Sequence, residues 1–467
     1  MPANMLHPDT VRKELRALVL LAVPVALSEL GWMTMSVVDT AMVGRLNAVA
    51  IGAVGLGSIL FNTVVLFGFG LLLSMDPLVA RSYGAGDLKD CHHTLHQGTF
   101  LAFGLAIPLM AISYLLPELL VRWNVNPVVA LAATPYIRVL TWSTLPLLLY
   151  ACLRRYLQAM KLVHPVMFAL LTANLVNVFG NWMLIYGHLG FRALGVVGSA
   201  WATFLSRVYL TAFLALYIVF YERRNTTGLF HQRPQLDWQR LWRMLQLGFP
   251  AASQILFEVG AFAAATVIIS KLAPASLAAH QIALNCASLT YMVPLGIGSA
   301  TAVSVGHALG RNDPQSAIRV GWLGIALGAA FMGTMALTFI LFPTQIIRLF
   351  TSSANVIAVG STLMVIAAFF QLFDGIQTVT IGALRGLGDT HSAMLLNLLN
   401  YWLLGLPLGY FLCFHLRMGA AGVWTGLSLS LVLLAATLLA VWRHRCKSLV
   451  SVPAIDTRTT EDISAEK

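Results

Sequence analysis

The sequence is poor in charge. Only 10% of its 467 residues are Asp, Glu, Lys or Arg, whereas 58% are hydrophobic. Soluble globular proteins carry about 25% charged residues, so this chain does not have the polar surface that soluble domains need. The composition indicates an integral membrane protein, whose first partner is the lipid bilayer.

The sequence also lacks clustered cysteines and long basic stretches. Its five cysteines lie far apart without a C-x-x-C spacing, a pattern that does not predict a disulfide framework or a cysteine metal site. The net charge is +11, but the basic residues stand in short clusters between apolar runs. No stretch is long enough to form a groove for a polyanion, so we expect no nucleic-acid partner.

Long apolar runs are abundant instead. A bilayer core of about 30 Å requires roughly 20 apolar residues per helix, and this length predicts an all-α integral membrane fold with twelve transmembrane helices. The predicted spans are residues 16–40, 48–74, 95–117, 128–153, 163–187, 194–221, 241–270, 277–305, 316–343, 354–382, 392–414 and 418–442.

The loops between these spans differ in basic residues. Loops on one side carry clusters such as Arg154 with Arg155 and Arg223 with Arg224, while each loop on the other side carries a single basic residue. Basic residues collect in cytoplasmic loops, so both termini and the 222–240 segment are expected in the cytoplasm. An odd number of spans would break this alternation, which favours twelve.

Short motifs recur at an offset near 225 residues. The pairs are LAVP (21–24) with LGFP (247–250), SYGAGD (82–87) with HALGRND (307–313), and LGVVG (194–198) with MGAAG (418–422). Because six is even, a second set of six spans enters the membrane in the same sense, which predicts two six-helix bundles related by a parallel pseudo-two-fold repeat. The predicted domains are an N-lobe (1–221), a cytoplasmic linker (222–240), a C-lobe (241–442) and a cytoplasmic tail (443–467).

Five acidic residues fall within or at the ends of predicted spans. They are Glu29, Asp39, Asp76, Glu258 and Asp374. A charge at the bilayer centre costs at least about 2.5–3.5 kcal/mol, so each acid needs a partner or a function. Arg138 and Arg207 are the two predicted intramembrane cations, so at least two acids are expected to lack a protein counter-charge.

Glu258 and Asp374 are the leading functional candidates. Glu258 lies midway between Arg243 and Lys271, with Gln254 one turn away on the same face. Asp374 belongs to a polar stripe at helical spacing. The stripe consists of Gln371, Asp374, Gln377 and Thr378.

Each intramembrane acid also has a structural alternative. Glu29 is expected to meet Arg138 or a helix backbone, and Asp76, which precedes Pro77 at a helix end, is expected to be structural or gating. An unpaired carboxylate holds either a proton or a small cation, and a cationic substrate could take the same place. Exchange of such charges is what a coupled transporter requires.

Several motifs resemble the multidrug and toxic compound extrusion (MATE) family, in its NorM-like branch. They are VVDTAMVG (37–44), SYGAGD (82–87), NWMLIYG (181–187), LFEVG (256–260), AAHQIALN (278–285), YMVPLGIGSA (291–300), QLFDGIQ (371–377) and GALRGLGDT (382–390). The resemblance spans about residues 15–442. It implies a V-shaped antiporter that expels organic cations, dyes and fluoroquinolone-like drugs in exchange for Na+ or H+.

In the C-lobe, the resemblance implies that Glu258 and Asp374 bind the coupling cation and are the metal ligands if that cation is Na+. Tyr291 and Gln281 match polar and aromatic residues near this cation. Phe370 stands where some members of the family place a tyrosine hydroxyl, which removes one oxygen ligand.

In the N-lobe, the resemblance implies that Asp39 is the acid of a proton or substrate site. Asn177, Asn181 and Thr203 match its hydrogen-bonding neighbours. Asn181 stands where other members have a second aspartate, which weakens a purely proton-linked scheme. Glu29 has no counterpart in the family, and together with Gln254 it is predicted as an additional site residue.

Two other functions remain open at this point. A flippase of lipid-linked precursors shares this type of fold but would need a cationic cavity. An integral-membrane enzyme would need a nucleophile or clustered His and carboxylates near a membrane face, and we expect neither catalytic residues nor a cofactor beyond the coupling ion. We expect a monomer in the bacterial inner membrane.

Overall fold

The computed structural model describes residues 8–122 and 127–451, which are helical almost throughout. The first half contains α1 (Pro8–Val43), α2 (Ala48–Leu72), α3 (Met75–Gly84), α4 (Leu88–Arg122), α5 (Pro127–Trp142), α6 (Thr144–Ala159), α7 (Val163–Tyr186) and α8 (Val196–Asn225). After a 3-10 turn at Leu229–His231, the second half contains α9 (Trp238–Ile269), α10 (Pro274–Gly310), α11 (Pro314–Leu341), α12 (Pro343–Arg348), α13 (Ala354–Leu387), α14 (His391–Asn397), a π-helix (Leu398–Gly405), α15 (Leu406–Phe414) and α16 (Ala420–Ser451).

The described residues provide the predicted membrane spans. Eleven helical segments are long and apolar enough to cross a bilayer, and α5 with α6, bent by 46° at their junction, gives the twelfth when counted as one span. Pro146, in the first turn of α6, has no backbone N–H to donate to Trp142, which accounts for the break. The predicted fold class, an all-α membrane protein of twelve spans, is confirmed.

The helix that contains one predicted span continues past its predicted end. Residues 128–153 were expected to be followed by a basic loop, but α6 continues to Ala159. Arg154 and Arg155 therefore lie inside this helix, where they are 3% and 8% exposed. They are two buried cations that the sequence pattern had assigned to a loop.

Left-handed turn residues recur at nearly the same offset as the sequence motifs. Gly86 (φ +78°) and Asn312 (φ +56°) are 226 positions apart, and Gly195 (φ +56°) and Gly419 (φ +60°) are 224 positions apart. These residues follow equivalent spans in the two halves. The observation supports the predicted repeat, while its pseudo-two-fold axis stays a prediction.

The two halves touch at one end of the helices. We call this the linker end, because α8 finishes and α9 begins there. Successive spans run in opposite directions, so every second helix end lies on the linker side. All cross-lobe hydrogen bonds and ion pairs between described residues join helix ends on this side. Examples are Arg319 with Glu14 at 2.9 Å and His307 Nε2 with the Ala159 carbonyl at 2.6 Å. The packing of the two halves extends from this end to the middle of α1, where Gly296 of α10 lies so close to Ala26 that a Cβ would be 2.6 Å from the α1 backbone.

The linker is fixed to α4 rather than hanging free. His93 contacts Asp237 at 3.0 Å, and Gln97 Nε2 donates to the Gln235 carbonyl at 2.6 Å. Asp237 also caps α9 by accepting from the Arg240 backbone N–H at 3.0 Å. That N–H and the His93 ring hold the pKa of Asp237 below its ordinary value. These contacts tie the start of the C-lobe to the N-lobe.

Candidate cation and substrate sites

Glu258 of α9 and Asp374 of α13 form one buried cluster, as predicted. They are 8% and 7% exposed. Gln377 connects them, since its Nε2 donates to Asp374 Oδ1 at 3.0 Å and lies 3.4 Å from Glu258 Oε1. Glu258 also accepts from Gln254 Nε2 at 2.8 Å and from the Tyr291 hydroxyl at 3.2 Å. Every donor to this pair of acids is a neutral group.

This cluster has more acceptors than donors. Within residues 8–122 and 127–451, neither Glu258 nor Asp374 forms an ion pair with a Lys or Arg, and the two carboxylates repel each other. The buried Oε1 atoms of Gln371 and Gln377 have no hydrogen-bond partner. Oxygen acceptors around two uncompensated carboxylates are suited to a hard monovalent cation or to a proton.

Tyr401 is a member of this cluster that the sequence did not single out. Its hydroxyl accepts from Gln377 Nε2 at 3.3 Å, and its side chain is fully buried. It lies in the π-helix of residues 398–405, a wide-turn geometry that is frequent at functional sites. The available signal was the polar pair Asn397 and Asn400 beside Tyr401 in an otherwise apolar span.

Gln281 is not brought to this cluster. It is exposed on α10, ten residues and therefore about 15 Å along the helix from Tyr291. Its neighbour His280 is buried and accepts from Trp424 Nε1 at 2.9 Å. Phe370 packs on the same Trp424, with ring centroids 5.5 Å apart, so an apolar ring stands at this position. The expectation that Gln281 neighbours the C-lobe acids therefore finds no support in the contacts of the described residues.

The predicted N-lobe residues come together around Asp39. Asn181 Nδ2 donates to Asp39 Oδ1 at 2.6 Å, and Thr203 Oγ1 donates to Asp39 Oδ2 at 2.9 Å. Asn181 Nδ2 also lies 3.1 Å from Asn177 Oδ1. These side chains belong to α1, α7 and α8, and all four are buried. Both oxygens of Asp39 thus have a neutral donor.

Arg207 distinguishes the N-lobe site from the C-lobe cluster. It lies one turn after Thr203 on α8, is buried, and attracts Asp39 electrostatically without a direct ion pair. Its Nη1 donates to Ser143 Oγ at 2.5 Å, and its guanidinium stands over the Phe61 ring at 5.0 Å. Asp39 therefore has a protein cation nearby, in contrast to Glu258 and Asp374.

Glu29 belongs to neither site. Its predicted partners were Arg138 or a helix backbone, but Arg138 is exposed and stands 5.4 Å over the Tyr114 ring. Glu29 instead forms a buried ion pair with Arg154 of α6. Arg154 is available as a partner because α6 continues beyond the predicted span and buries this side chain inside the N-lobe. Glu29 has the protein counter-charge that a purely structural acid requires.

Asp76 links the two lobes. Its carboxylate, 1% exposed, lies 3.5 Å from Arg155 Nη1 in the N-lobe and 3.3 Å from Arg385 Nε in the C-lobe. We call these three buried groups, Asp76, Arg155 and Arg385, the latch cluster. The Glu29–Arg154 pair lies beside it, within the N-lobe. Asp76 had been predicted to be a structural or gating residue, and this position at the lobe interface supports that interpretation.

Comparison with known proteins places these sites in a family context. The model of the MatE family matches residues 24–183 and 250–411. A "Probable multidrug resistance protein NorM" of Mesorhizobium japonicum is 36% identical over 441 residues, which cover 93% of this chain and 94% of that protein. A "Multidrug resistance protein NorM" of Aliivibrio fischeri is 34% identical over 444 residues, covering 93% and 96%.

A solved structure shares the fold at lower sequence identity. It is described as the outward-facing conformation of a multidrug resistance MATE family transporter. The TM-score is 0.86 at 20% identity, with 94% of this chain and 97% of that chain covered. The two chains therefore share their fold over nearly their whole length.

Proposed function

Because this chain belongs to the MATE family, we propose that it is an antiporter that exports cationic, amphipathic drugs in exchange for Na+ or H+. The observation that carries this proposal is the buried pair Glu258 and Asp374, which has neutral donors and no protein cation among its described neighbours. Such a pair is most stable when an exchangeable positive charge occupies it.

Competition for this charge provides the coupling. When Na+ or H+ neutralises Glu258 or Asp374, a drug cation held by the same carboxylates loses its counter-charge and is released. By thermodynamic linkage, the drug weakens binding of the coupling ion by the same factor. A tenfold ion gradient supplies about 1.4 kcal/mol per ion, and 100 mV adds about 2.3 kcal/mol per net charge moved.

The N-lobe site has a different part in this scheme. Asp39 already has hydrogen bonds at both oxygens and Arg207 nearby, so a bound cation gains less there than at the C-lobe pair. We assign Asp39, Asn177, Asn181 and Thr203 to binding of a proton or of the drug. The oxygens of Glu258 and Asp374 are assigned to the coupling cation.

The two lobes (1–221 and 241–442) are proposed to rock about the linker end, with residues 222–240 connecting them and residues 443–467 as a tail. The basic clusters favour a linker end in the cytoplasm, and we propose the bacterial inner membrane as the location. Because the lobes touch at the linker end, we propose that the present conformation is open to the outside. We propose a monomer, because each chain carries both lobes.

Dye efflux tests the proposed function. The purified protein in liposomes is expected to move an ethidium-like dye when a Na+ gradient or a pH gradient is imposed, and the effective gradient identifies the coupling ion. Glu258→Gln and Asp374→Asn are expected to abolish this movement although both variants still insert.

A matched control is Glu118→Gln, which removes an exposed carboxylate from α4 and is expected to keep wild-type efflux. Wild-type efflux by both Glu258→Gln and Asp374→Asn would contradict the carboxylate mechanism. Lipid scrambling without cation-driven dye movement would support a flippase, and formation of a chemical product would support an enzyme.

A further inference from the structure

A groove of about 500 Å³ opens between the lobes at the linker end. Three segments line it: the end of α3, the first turns of α9, and the junction of α13 with α14. The polar lining consists of Arg81, Arg243, Gln246 and His391, and the apolar lining includes Pro77 and Phe249. Both lobes contribute a guanidinium, and the groove is separate from the two acidic sites.

The charges in this groove are of one sign. Its lining contains no Asp or Glu. Arg81 Nη2 donates to the Leu387 carbonyl at 2.9 Å, while Arg243 has no ion pair or hydrogen bond from its side chain within the part of the chain that the structure describes. The two guanidinium groups lie close enough to repel each other.

The neighbouring arginines show that this lack of acids is local. Arg240, less than one turn before Arg243 on α9, pairs with Asp90. Arg445, on α16, pairs with Asp389 at 2.8 Å. Arg81 and Arg243 therefore stand together without a carboxylate at an end of the molecule where other arginines have one. A bound anion would remove their mutual repulsion and satisfy their free donors.

The shape of the lining favours an anion that carries an apolar tail. Phe249 and Trp242, on the same turns of α9 as Arg243, are 56% and 63% exposed. An exposed Trp beside an arginine at the end of a span is typical of the headgroup level of a bilayer, and Phe249 adds exposed apolar surface next to it. Guanidinium forks match the oxygens of a phosphate group.

We propose that this groove binds the phosphate of an anionic phospholipid headgroup. Arg81 from the N-lobe and Arg243 from the C-lobe donate to the phosphate oxygens, Gln246 and His391 complete the polar lining, and an acyl chain runs along Phe249 into the bilayer. The site requires the close approach of the lobes at the linker end, since each lobe supplies one arginine. This proposal does not depend on drug transport.

Native mass spectrometry of the full chain in mixed phosphatidylcholine and phosphatidylglycerol nanodiscs tests the site. The wild-type protein is expected to retain one phosphatidylglycerol molecule in preference to phosphatidylcholine. The double variant Arg81→Gln/Arg243→Gln is expected to bind it at least tenfold more weakly. Both side chains are exposed, so the variant should fold, and an unchanged thermal midpoint in pure phosphatidylcholine checks this.

The control is Arg223→Gln/Arg224→Gln, which removes two exposed charges from the same end of the molecule but outside the groove. It is expected to retain the lipid as the wild type does. Equal retention by the groove variant, or equal loss by the control, would overturn the proposal. Displacement of the lipid by millimolar inorganic phosphate would assign the groove to a soluble phosphate and overturn the lipid as its occupant.

Discussion

The buried carboxylates of this molecule differ in what surrounds them. Glu29 has a guanidinium as its partner, Asp39 has neutral donors with a guanidinium farther away, and Glu258 with Asp374 has neutral donors alone. Substitution of Glu29, which has a charged partner, should therefore mainly lower stability. Substitution of Glu258 or Asp374, which have neutral donors alone, should mainly abolish function.

Glu29→Gln should destabilise the protein, whereas Glu258→Gln should not. Removing Glu29 leaves Arg154 buried without its ion pair, which costs roughly 3–5 kcal/mol. Removing the charge of Glu258 relieves its repulsion with Asp374, so the thermal midpoint should stay or rise. Thermal unfolding in detergent measures both variants. A lower midpoint for Glu258→Gln than for Glu29→Gln would contradict the assignment of structural and functional acids.

Asp39→Asn should reduce efflux by roughly tenfold or more, equivalent to about 1.4 kcal/mol. The variant loses the charge and replaces one acceptor oxygen by a donor, which then faces the donor of either Asn181 or Thr203. Dye efflux as a function of pH and Na+ is the measurement. Thr203→Ser, which keeps the hydroxyl, serves as the control. A variant whose dependence on pH and Na+ equals that of the wild type would reduce Asp39 to a packing residue.

The sequence was informative where a single residue contrasts with its span. Glu258 and Asp374 are carboxylates in apolar helices, so they could be recognised without knowing their neighbours. The burial of Arg154 could not be predicted in this way, because the position of a helix end depends on the packing of α6 and not on span length alone. Tyr401 is an ordinary apolar residue in the sequence until the π-helix turns it toward Gln377. Gln281 was placed by family position, and its exposure follows from the face of α10 on which it lies.

At the scale of helices, the contact between α3 and α13 is of a different kind from the packing around it. The closest approaches of the lobes elsewhere are made by small residues, such as Gly296 against Ala26. The latch cluster instead joins α3 to α13 by ions, through Asp76 and Arg385. Loss of one partner leaves the other charge buried and unpaired, which is costly in free energy. Separation of α3 from α13 is therefore strongly opposed by this pair.

Arg385→Gln should weaken the closed arrangement at the linker end. Spin labels at Lys89→Cys and Gln315→Cys, which are exposed positions on opposite lobes, report the separation between α4 and α11. Pulsed electron paramagnetic resonance should show a shift to longer distances in the variant. The five native cysteines are buried, which limits background labelling.

The control for this experiment is Glu29→Gln, which also removes a buried ion pair but one that lies within the N-lobe. It should leave the distance distribution of the folded protein unchanged. Identical distributions for wild type and Arg385→Gln would show that the Asp76–Arg385 contact does not hold the lobes together.

At the scale of the whole molecule, cross-lobe contacts between described residues gather at one end, and the linker is fixed there as well. Opening of this end requires the latch cluster to separate and the Gly296 contact to be lost together. The twelve spans could be counted from the sequence because each needs its own apolar run. The sequence did not show which ends of the lobes touch, because the helices are similarly apolar at both ends.

The orientation of the molecule is tested by reporter fusions. Alkaline phosphatase joined after residue 190, in the turn between α7 and α8, should be active because that turn is expected outside. Fusions after residues 228 and 312 should be inactive, and a fluorescent protein joined after residue 451 should fluoresce because these positions are expected in the cytoplasm. Activity of the fusion after residue 228 would reverse the proposed orientation.

Each lobe crosses the membrane an even number of times, and each begins at the linker end. A gene for one ancestral six-span subunit could therefore have been duplicated and fused head to tail without inverting the second copy. An ancestor with an odd number of spans would have needed subunits inserted in both orientations. In the proposed orientation one charge pattern serves both lobes, and a short polar linker on one side of the membrane is enough to join them.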